Sequence, residues 1–498
     1  MIQGRKNRQF LFLLCGFVLG AVTAPVLSAC VQEESSLVRA IEAFRSQGYQ
    51  MSDEAIRELG RFGEVYQAYS SDPRDSRPLR HFRDAYVRVR VEYVEDVGDA
   101  ELIDAAIEGV LESNPKPGSV PSDELVQTAL DAMVGSLDPH STYLDADELR
   151  DTFVSTRGQF GGLGIEVTME EGAVKVISPI EGTPAERAGL QSGDLITHLD
   201  GEPVGGNSIT EAVKRMRGAP GSEIRLTVDR AGETPFDVSI VRDIITVRAV
   251  RWRTEGDIGY IRVASFTEQV NDGLRDAIDG IHKELGASAK GLVLDLRNNP
   301  GGLLDQSLFL ADAFLDHGRI VSVKGRESRR EQVYDAQPGD LAEGLPMVVL
   351  INGGSASASE IVANALQEDD RAIVMGTPSF GKGSVQVITP LPVEGALKLT
   401  TALYYGPSGR TIQAFGVTPD ILIKPEEGLN REREADQPGA LRPRAPVGSR
   451  DSLMVNESDC PAAGDAERPD RTLGCALALL EAGSPERFLT AVSASGPM

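Results

Sequence analysis

The feature that most limits what this chain can become is a regular alternation of two kinds of apolar run between about Asp257 and Pro425. Ile258–Val263, Gly291–Leu296, Met347–Asn352 and Ala372–Met375 are short and strand-like. Between them, Val270–Leu285, Leu304–Phe314 and Ser359–Gln367 carry helical spacing. Strands separated by helices pack as βαβ units, so this region is read as an α/β core. At 498 residues the chain is longer than one core needs, and further modules are expected around it.

Immediately upstream, between about Arg157 and Arg230, the pattern changes to short β-rich runs punctuated by glycine: Gly164–Val167, Val174–Ile177, Leu195–Leu199 and Ile224–Val228. Ile209, Val213 and Met216 share one face of a helix-like stretch within it. Gly161-Gly162-Leu163-Gly164-Ile165 can turn successive backbone N–H groups toward an anion, because glycine permits the turn and the close approach. Beside an open strand edge, such a loop could hold a chain's terminal carboxylate while the strand pairs with the bound peptide. A glycine-rich hairpin that binds nothing has the same local sequence. With Pro184–Leu190 and Gly193–Ile196 added, the module resembles a PDZ domain of the bacterial protease type, which implies peptide binding at Gly162, Leu163, Gly164 and Ile165.

From about Ser35 to Arg150, apolar residues recur at helical spacing, as in Leu102, Ala105, Ala106 and Val110, then Leu125, Leu130 and Val134. Ser71–Arg80 interrupts them as an exposed loop rich in Pro, Asp and Arg, and His140 reads as a surface turn residue after Pro139. Lys and Arg number 50 against 75 Asp and Glu, a formal charge of −25, which would repel nucleic acid.

Arg5, Lys6 and Arg8 precede an uncharged apolar run from Phe10 to about Val22, the pattern of an export signal and too short for a comfortable membrane span. Leu27-Ser28-Ala29-Cys30 resembles the lipobox of bacterial lipoproteins, which implies lipidation of Cys30; an ordinary cleaved signal stands as the alternative. Either way the body is expected outside the cytoplasm, in the bacterial periplasm. There Cys460 and Cys475 are free to pair, closing a loop worth about 3 kcal/mol on the entropic account. Five scattered histidines and no CxxC motif give a metal or cofactor no foothold.

Three stretches could carry chemistry. Asn352–Glu360 holds Ser355, Ser357 and Ser359 at a strand-to-helix turn, where the free N–H groups of the helix start could stabilise an oxyanion; a serine that merely caps the helix fits equally well. Lys382 stands between Gly381 and Gly383, and its amine is a base only if burial lowers its pKa from ~10.4 to about 7, a cost of about 4 to 5 kcal/mol. Gln386 could orient that amine without adding charge. Asp295–Gly302 offers the N–H groups of Gly301 and Gly302 at a strand end, although a plain loop has the same sequence.

In this order, the three stretches behind a PDZ-like module resemble the carboxyl-terminal processing (tail-specific, S41) proteases, over about Leu137 to Ile421. The resemblance implies a core of the ClpP/crotonase type and serine endopeptidase activity without cofactor. It makes Ser357 the nucleophile, Lys382 the base and Gln386 its support, with oxyanion donors at Ala358 and at Gly301 or Gly302. The expected organisation is a signal peptide (1–29), a helical N-terminal region (30–150), a PDZ domain (157–231), an α/β protease core with preceding linker strands (232–425) and a mostly irregular tail (426–498). Expected substrates have apolar, unstructured C-termini, and the N-terminal helices could form a homo-oligomer or dock an adaptor. A noncatalytic PDZ-containing envelope adaptor is the competing reading.

Overall fold

The structure, a computed structural model, describes residues 50–494 apart from 171, 181, 206–207, 327–330, 426–431, 445–450 and 465–468. The export segment 1–29 and Cys30 lie outside the described residues. The chain divides into two compact units, one running to Leu137 and including Thr389–Val393, the other containing the rest.

In the first unit, helices α1 (Asp53–Tyr69), α2 (Arg77–Glu92), α3 (Asp99–Glu112) and α4 (Ser122–Gly135) follow one another. The hydroxyl of Ser52 caps α1 by accepting the Ala55 N–H. Leu102, Ala106, Val110, Leu125, Leu130 and Val134 are all buried, so the helical stripes face a core. The loop expected over Ser71–Arg80 ends sooner: α2 starts at Arg77 because Pro78 sits in its first turn, where no N–H is required.

The second unit opens with β1 (Thr142–Leu144), α5 (Ala146–Arg157) and β2 (Gln159–Gly162). The β-rich module follows, with β3 (Ile165–Glu170), β4 (Ala173–Pro179), β5 (Leu195–Leu199), α6 (Ile209–Met216), β6 (Glu223–Asp229) and β7 (Phe236–Val241). Its antiparallel sheet runs β3-β4-β5-β6-β7, which leaves β3 at an edge. Strand β8 (Asp243–Thr246) returns to pair with β2. Alternate residues of β6 (Ile224, Leu226, Val228) are buried against Val174, Val176 and Ile196.

The α/β core contains β9 (Val250–Glu255), β10 (Ile258–Val263), α7 (Val270–Leu285), β11 (Gly291–Asp295), α8 (Leu304–Asp312), β12 (Arg319–Gly325), β13 (Gln332–Asp335), β14 (Met347–Ile351), α9 (Ala358–Glu368), β15 (Ile373–Gly376), β16 (Ser384–Pro390), β17 (Ala396–Tyr405) and β18 (Ile421–Lys424). From β10 onward the main sheet is parallel, in the order β9-β10-β11-β14-β15-β18. Both faces are covered, which is why β11 and β14 read as unbroken apolar runs. Leu292, Leu294 and Val349 face α7, α8 and α9, while Val293 and Leu350 face the opposite way. A second sheet, β1-β17-β12-β13 with β16 on β17, lies beside this core.

The tail does more than link. Leu453–Asn456 (β19) adds a seventh, parallel strand beyond β18, and α10 (Arg471–Ala482) and α11 (Pro485–Ala494) bury Leu473, Leu480 and Phe488 against the second face of the sheet. Cys460 and Cys475 form a disulfide within this layer. A four-residue edge strand in a Pro- and Arg-rich setting has no periodicity of its own to reveal it.

Candidate active site

Strands β11, β14 and β15 are neighbours and parallel, so the loops leaving their C-terminal ends meet. Those loops are Leu296–Leu303, Asn352–Ser357 and Thr377–Gly383, and the three chemistry-bearing stretches are thereby brought to one end of one sheet.

Geometry separates the three serines. Ser355 is fully buried and its hydroxyl donates to the Leu296 carbonyl at 2.8 Å, while Ser359 is fully buried and donates to the Asn299 carbonyl at 2.9 Å. Both are spent in joining the serine loop to the Leu296–Leu303 loop. Ser357 is half-buried, and its hydroxyl has no hydrogen-bond partner among the described residues. Its backbone is held at φ 55° and ψ −113°, a strained conformation for a residue with a Cβ and one that aims the side chain out of the turn.

The strain is maintained by Glu360, which sequence reasoning passed over as a helical residue. This side chain is completely buried and gathers four donors. Its Oε2 accepts the backbone N–H groups of Ser357 at 2.7 Å and Lys382 at 2.9 Å. Its Oε1 accepts the Ser379 hydroxyl at 2.5 Å and the Gly381 N–H at 2.7 Å. Burial pushes the carboxyl up to about 7, with the four donors pulling the other way. The spacing Ser357-Ala358-Ser359-Glu360 is the S-x-x-E pattern in which a glutamate reaches back to the N–H before the helix, and it was the available signal.

Lys382 is half-buried, and burial pushes its amine below the ordinary lysine range, helped by Lys398 and opposed by Glu434, Asp138 and Glu360. Burial thus acts on this amine in the direction that a lysine base requires. Among the described residues its amine makes no hydrogen bond, to the Ser357 hydroxyl or to any other group. Gln386 does not reach it either: its amide donates to Ser384 Oγ at 2.9 Å and to Thr400 Oγ1 at 3.1 Å. Thr400 in turn donates to Asp138, whose other oxygen accepts Ser141.

The oxyanion candidates also separate. Among the described residues the Ala358 N–H, at the start of α9, has no hydrogen-bond partner, and neither does that of Gly302. The Gly301 N–H is occupied by Asn299 Oδ1 at 2.9 Å. Gly301 matters for space instead, since a Cβ there would lie 2.8 Å from that of Ser357.

His140 is no surface turn residue. Its Nε2 lies 2.8 Å from a carboxylate oxygen of Glu434, which is 1% exposed and comes from the tail. No cluster of three or more His, Cys, Asp or Glu among the described residues is placed to hold a metal.

In the β-rich module, the N–H groups of Leu163 and Gly164 have no partner among the described residues and lie next to the edge of β3, which pairs on one side only among them. Gly164 has φ 78°, and a Cβ there would strike Thr183 at 2.3 Å, so only glycine fits. Ile209 and Val213 of α6 line an open cavity of about 510 Å³ together with Asp147, Arg150 and Asp151 of α5.

An accessible serine on a strained strand-to-helix turn, beside a shielded lysine and free N–H groups, describes a serine hydrolase, and the attached module describes a peptide binder. Residues 257–423 match the model of peptidase family S41, and residues 161–239 match that of the PDZ domain. The carboxy-terminal-processing protease of Bartonella bacilliformis is 46% identical over 76% of this chain and 87% of its own length. Carboxy-terminal processing protease CtpA of Bacillus subtilis is 34% identical over 68% of this chain and 67% of its own. Among solved structures, the photosystem II D1 C-terminal processing protease is 28% identical, with 70% of this chain and 94% of that one covered at a TM-score of 0.44. The chain belongs to the S41 carboxy-terminal processing proteases and is a serine peptidase, as its ordered motifs implied.

Proposed function

We propose that this protease works in the bacterial periplasm, held to a membrane by lipidated Cys30, and cleaves proteins whose apolar, unstructured C-termini are captured by its PDZ domain. Neutral Lys382 takes the proton of Ser357, whose oxygen attacks the scissile carbonyl, and the N–H groups of Ala358 and Gly302 hold the oxyanion. Lys382 then protonates the leaving amine as the C–N bond breaks. In the second half the Lys382 amine takes a proton from water, the hydroxyl adds to the acyl carbon, and the ammonium returns that proton to the Ser357 oxygen as the ester bond breaks and the new C-terminus departs. The observation that carries this reading is that one buried carboxylate, Glu360, ties the nucleophile's backbone to the base's backbone, while Ser357 alone of the three serines keeps an uncommitted hydroxyl. In the arrangement described here the amine is not on that hydroxyl, so the reading includes a side-chain movement of Lys382 before attack. In the PDZ domain, the peptide adds to the edge of β3 and its terminal carboxylate meets the Leu163 and Gly164 N–H groups.

Purified wild type and Ser357→Ala, given an unfolded reporter protein with an apolar C-terminal tail, test the mechanism. Cleavage by wild type alone is expected; equal cleavage by both would remove Ser357 from its role, and cleavage by neither would favour the adaptor. Location is tested by fractionating cells that express wild type and Cys30→Ser. Lipidation requires the wild type in the membrane fraction and the variant released from it.

A further inference from the structure

We infer that Glu434, acting with His140 and Gln413, is a positioning residue for Lys382, so that the tail helps to complete the catalytic site. The inference rests on the reading of Lys382 as the base.

The Lys382 loop is held from two sides by two buried carboxylates. On one side Glu360 takes the N–H groups of Gly381 and Lys382. On the other, the Glu434 N–H donates to the Phe380 carbonyl at 3.1 Å, and its Oε1 accepts Gln413 Nε2 at 2.9 Å. Gln413 Oε1 in turn accepts the Gly383 N–H at 2.9 Å. The remaining ties are Phe380 N–H to the Ser355 carbonyl, Ala414 N–H to the Gly381 carbonyl and Tyr404 N–H to the Gly383 carbonyl. With the backbone fixed from Phe380 to Gly383, the amine can travel only by rotation of its own side chain, over a path set by these contacts.

Anchoring the tail does not by itself explain Glu434. A buried carboxylate is costly, and an apolar residue would dock a tail at less expense. Burial pushes this carboxyl up, yet hydrogen bonds from His140 and Gln413 hold it below its ordinary range, so it is an anion at neutral pH. That anion, with Asp138 and Glu360, favours the ammonium form of Lys382, against burial and the like charge of Lys398. Glu434 thus both places the amine and keeps it basic enough to take the serine proton.

Glu434→Gln preserves shape and removes charge, and it is tested in the full chain beside Lys382→Ala, using the tailed reporter and a short peptide. We expect kcat to fall on the order of tenfold at unchanged KM. The midpoint of the acid limb of kcat against pH should move down by about half a unit or more, which a merely structural role would not produce. Wild-type turnover by Lys382→Ala would overturn the Ser/Lys reading itself. An inactive Lys382→Ala beside a Glu434→Gln enzyme with wild-type kcat and midpoint would overturn the Glu434 assignment alone. Should Glu434→Gln melt early, His140→Ala at the half-exposed end of the cluster carries the same test: reduced kcat at constant KM supports the assignment, and unchanged kcat overturns it.

Discussion

Glu360 Oε2 receives the backbone N–H of Ser357 at 2.7 Å, so the residue three positions into the helix fixes the backbone of the residue that precedes it. The same oxygen receives Lys382. Because both oxygens accept two donors each, an amide cannot substitute. In Glu360→Gln, the amide nitrogen would face two donors and leave them unsatisfied in a fully buried place. The expected result is a loss of about 2 to 4 kcal/mol in denaturant unfolding. Turnover should fall at least a hundredfold, measured on the fraction that remains folded.

The pH dependence of turnover follows from Lys382. Only the neutral amine accepts the serine proton, so kcat/KM should rise with pH along a limb whose midpoint is the amine's own pKa. Burial lowers that value, and the midpoint is therefore expected below the ordinary lysine value of 10.5. The sign extends to stability. For a lysine whose folded pKa is lowered, the folded state sheds its proton sooner than the unfolded chain. Folding is then relatively disfavoured at pH below the folded pKa, and the penalty fades as pH rises toward the unfolded value. A limb centred near the ordinary lysine value in a pH–rate profile would show that the amine is not shielded.

The serines should respond differently to removal of one oxygen. Ser355→Ala and Ser359→Ala each remove one of the two donors on a carbonyl, that of Leu296 or Asn299, and Ser355→Ala also takes the acceptor from the Asn352 N–H; each should cost about 1 to 2 kcal/mol in thermal or denaturant unfolding. Ser357→Ala breaks no hydrogen bond of its side chain and should unfold within about 0.5 kcal/mol of wild type while losing all measurable turnover.

These contrasts mark what could be read before folding. The strands Ile258–Val263 and Met347–Ile351 were legible as short, largely apolar runs, and the helices Val270–Leu285 and Ile209–Met216 by their helical period. The three short motifs were legible by their order along the chain. Their meeting was not, because it depends on β11, β14 and β15 lying side by side. His140 and Glu434 were invisible for a related reason. Each sits in a polar, turn-rich segment that looks solvent-exposed, and their partnership spans 294 positions. Gln386 shows the converse: the family resemblance implied that it supports Lys382, but its amide protons go to Ser384 and Thr400.

The tail layer depends on an ionic joint that the chemistry does not use. Asp295 is fully buried at the end of β11 and is held by Arg297, Arg262 and the Tyr260 hydroxyl. Burial pushes its carboxyl up, yet these partners keep it below the ordinary aspartate range. Arg297 then reaches across to Asp470 with two hydrogen bonds, at 2.9 and 2.6 Å. Asp470 also caps α10 by accepting the Leu473 N–H, so one carboxylate both starts the helix and pins it to the sheet. Asp470→Ala should cost about 1 to 2 kcal/mol for the cap, with a further loss from freeing one side of a buried guanidinium. Asp470→Asn keeps the cap and weakens only the ion pair, so it should lose less than Asp470→Ala. Hydrogen exchange would localise the effect: in Asp470→Ala, faster exchange should appear in α10 and β19 before β11 and β14 respond. Uniform acceleration across the sheet would mean that the tail layer and the protease core unfold as one unit.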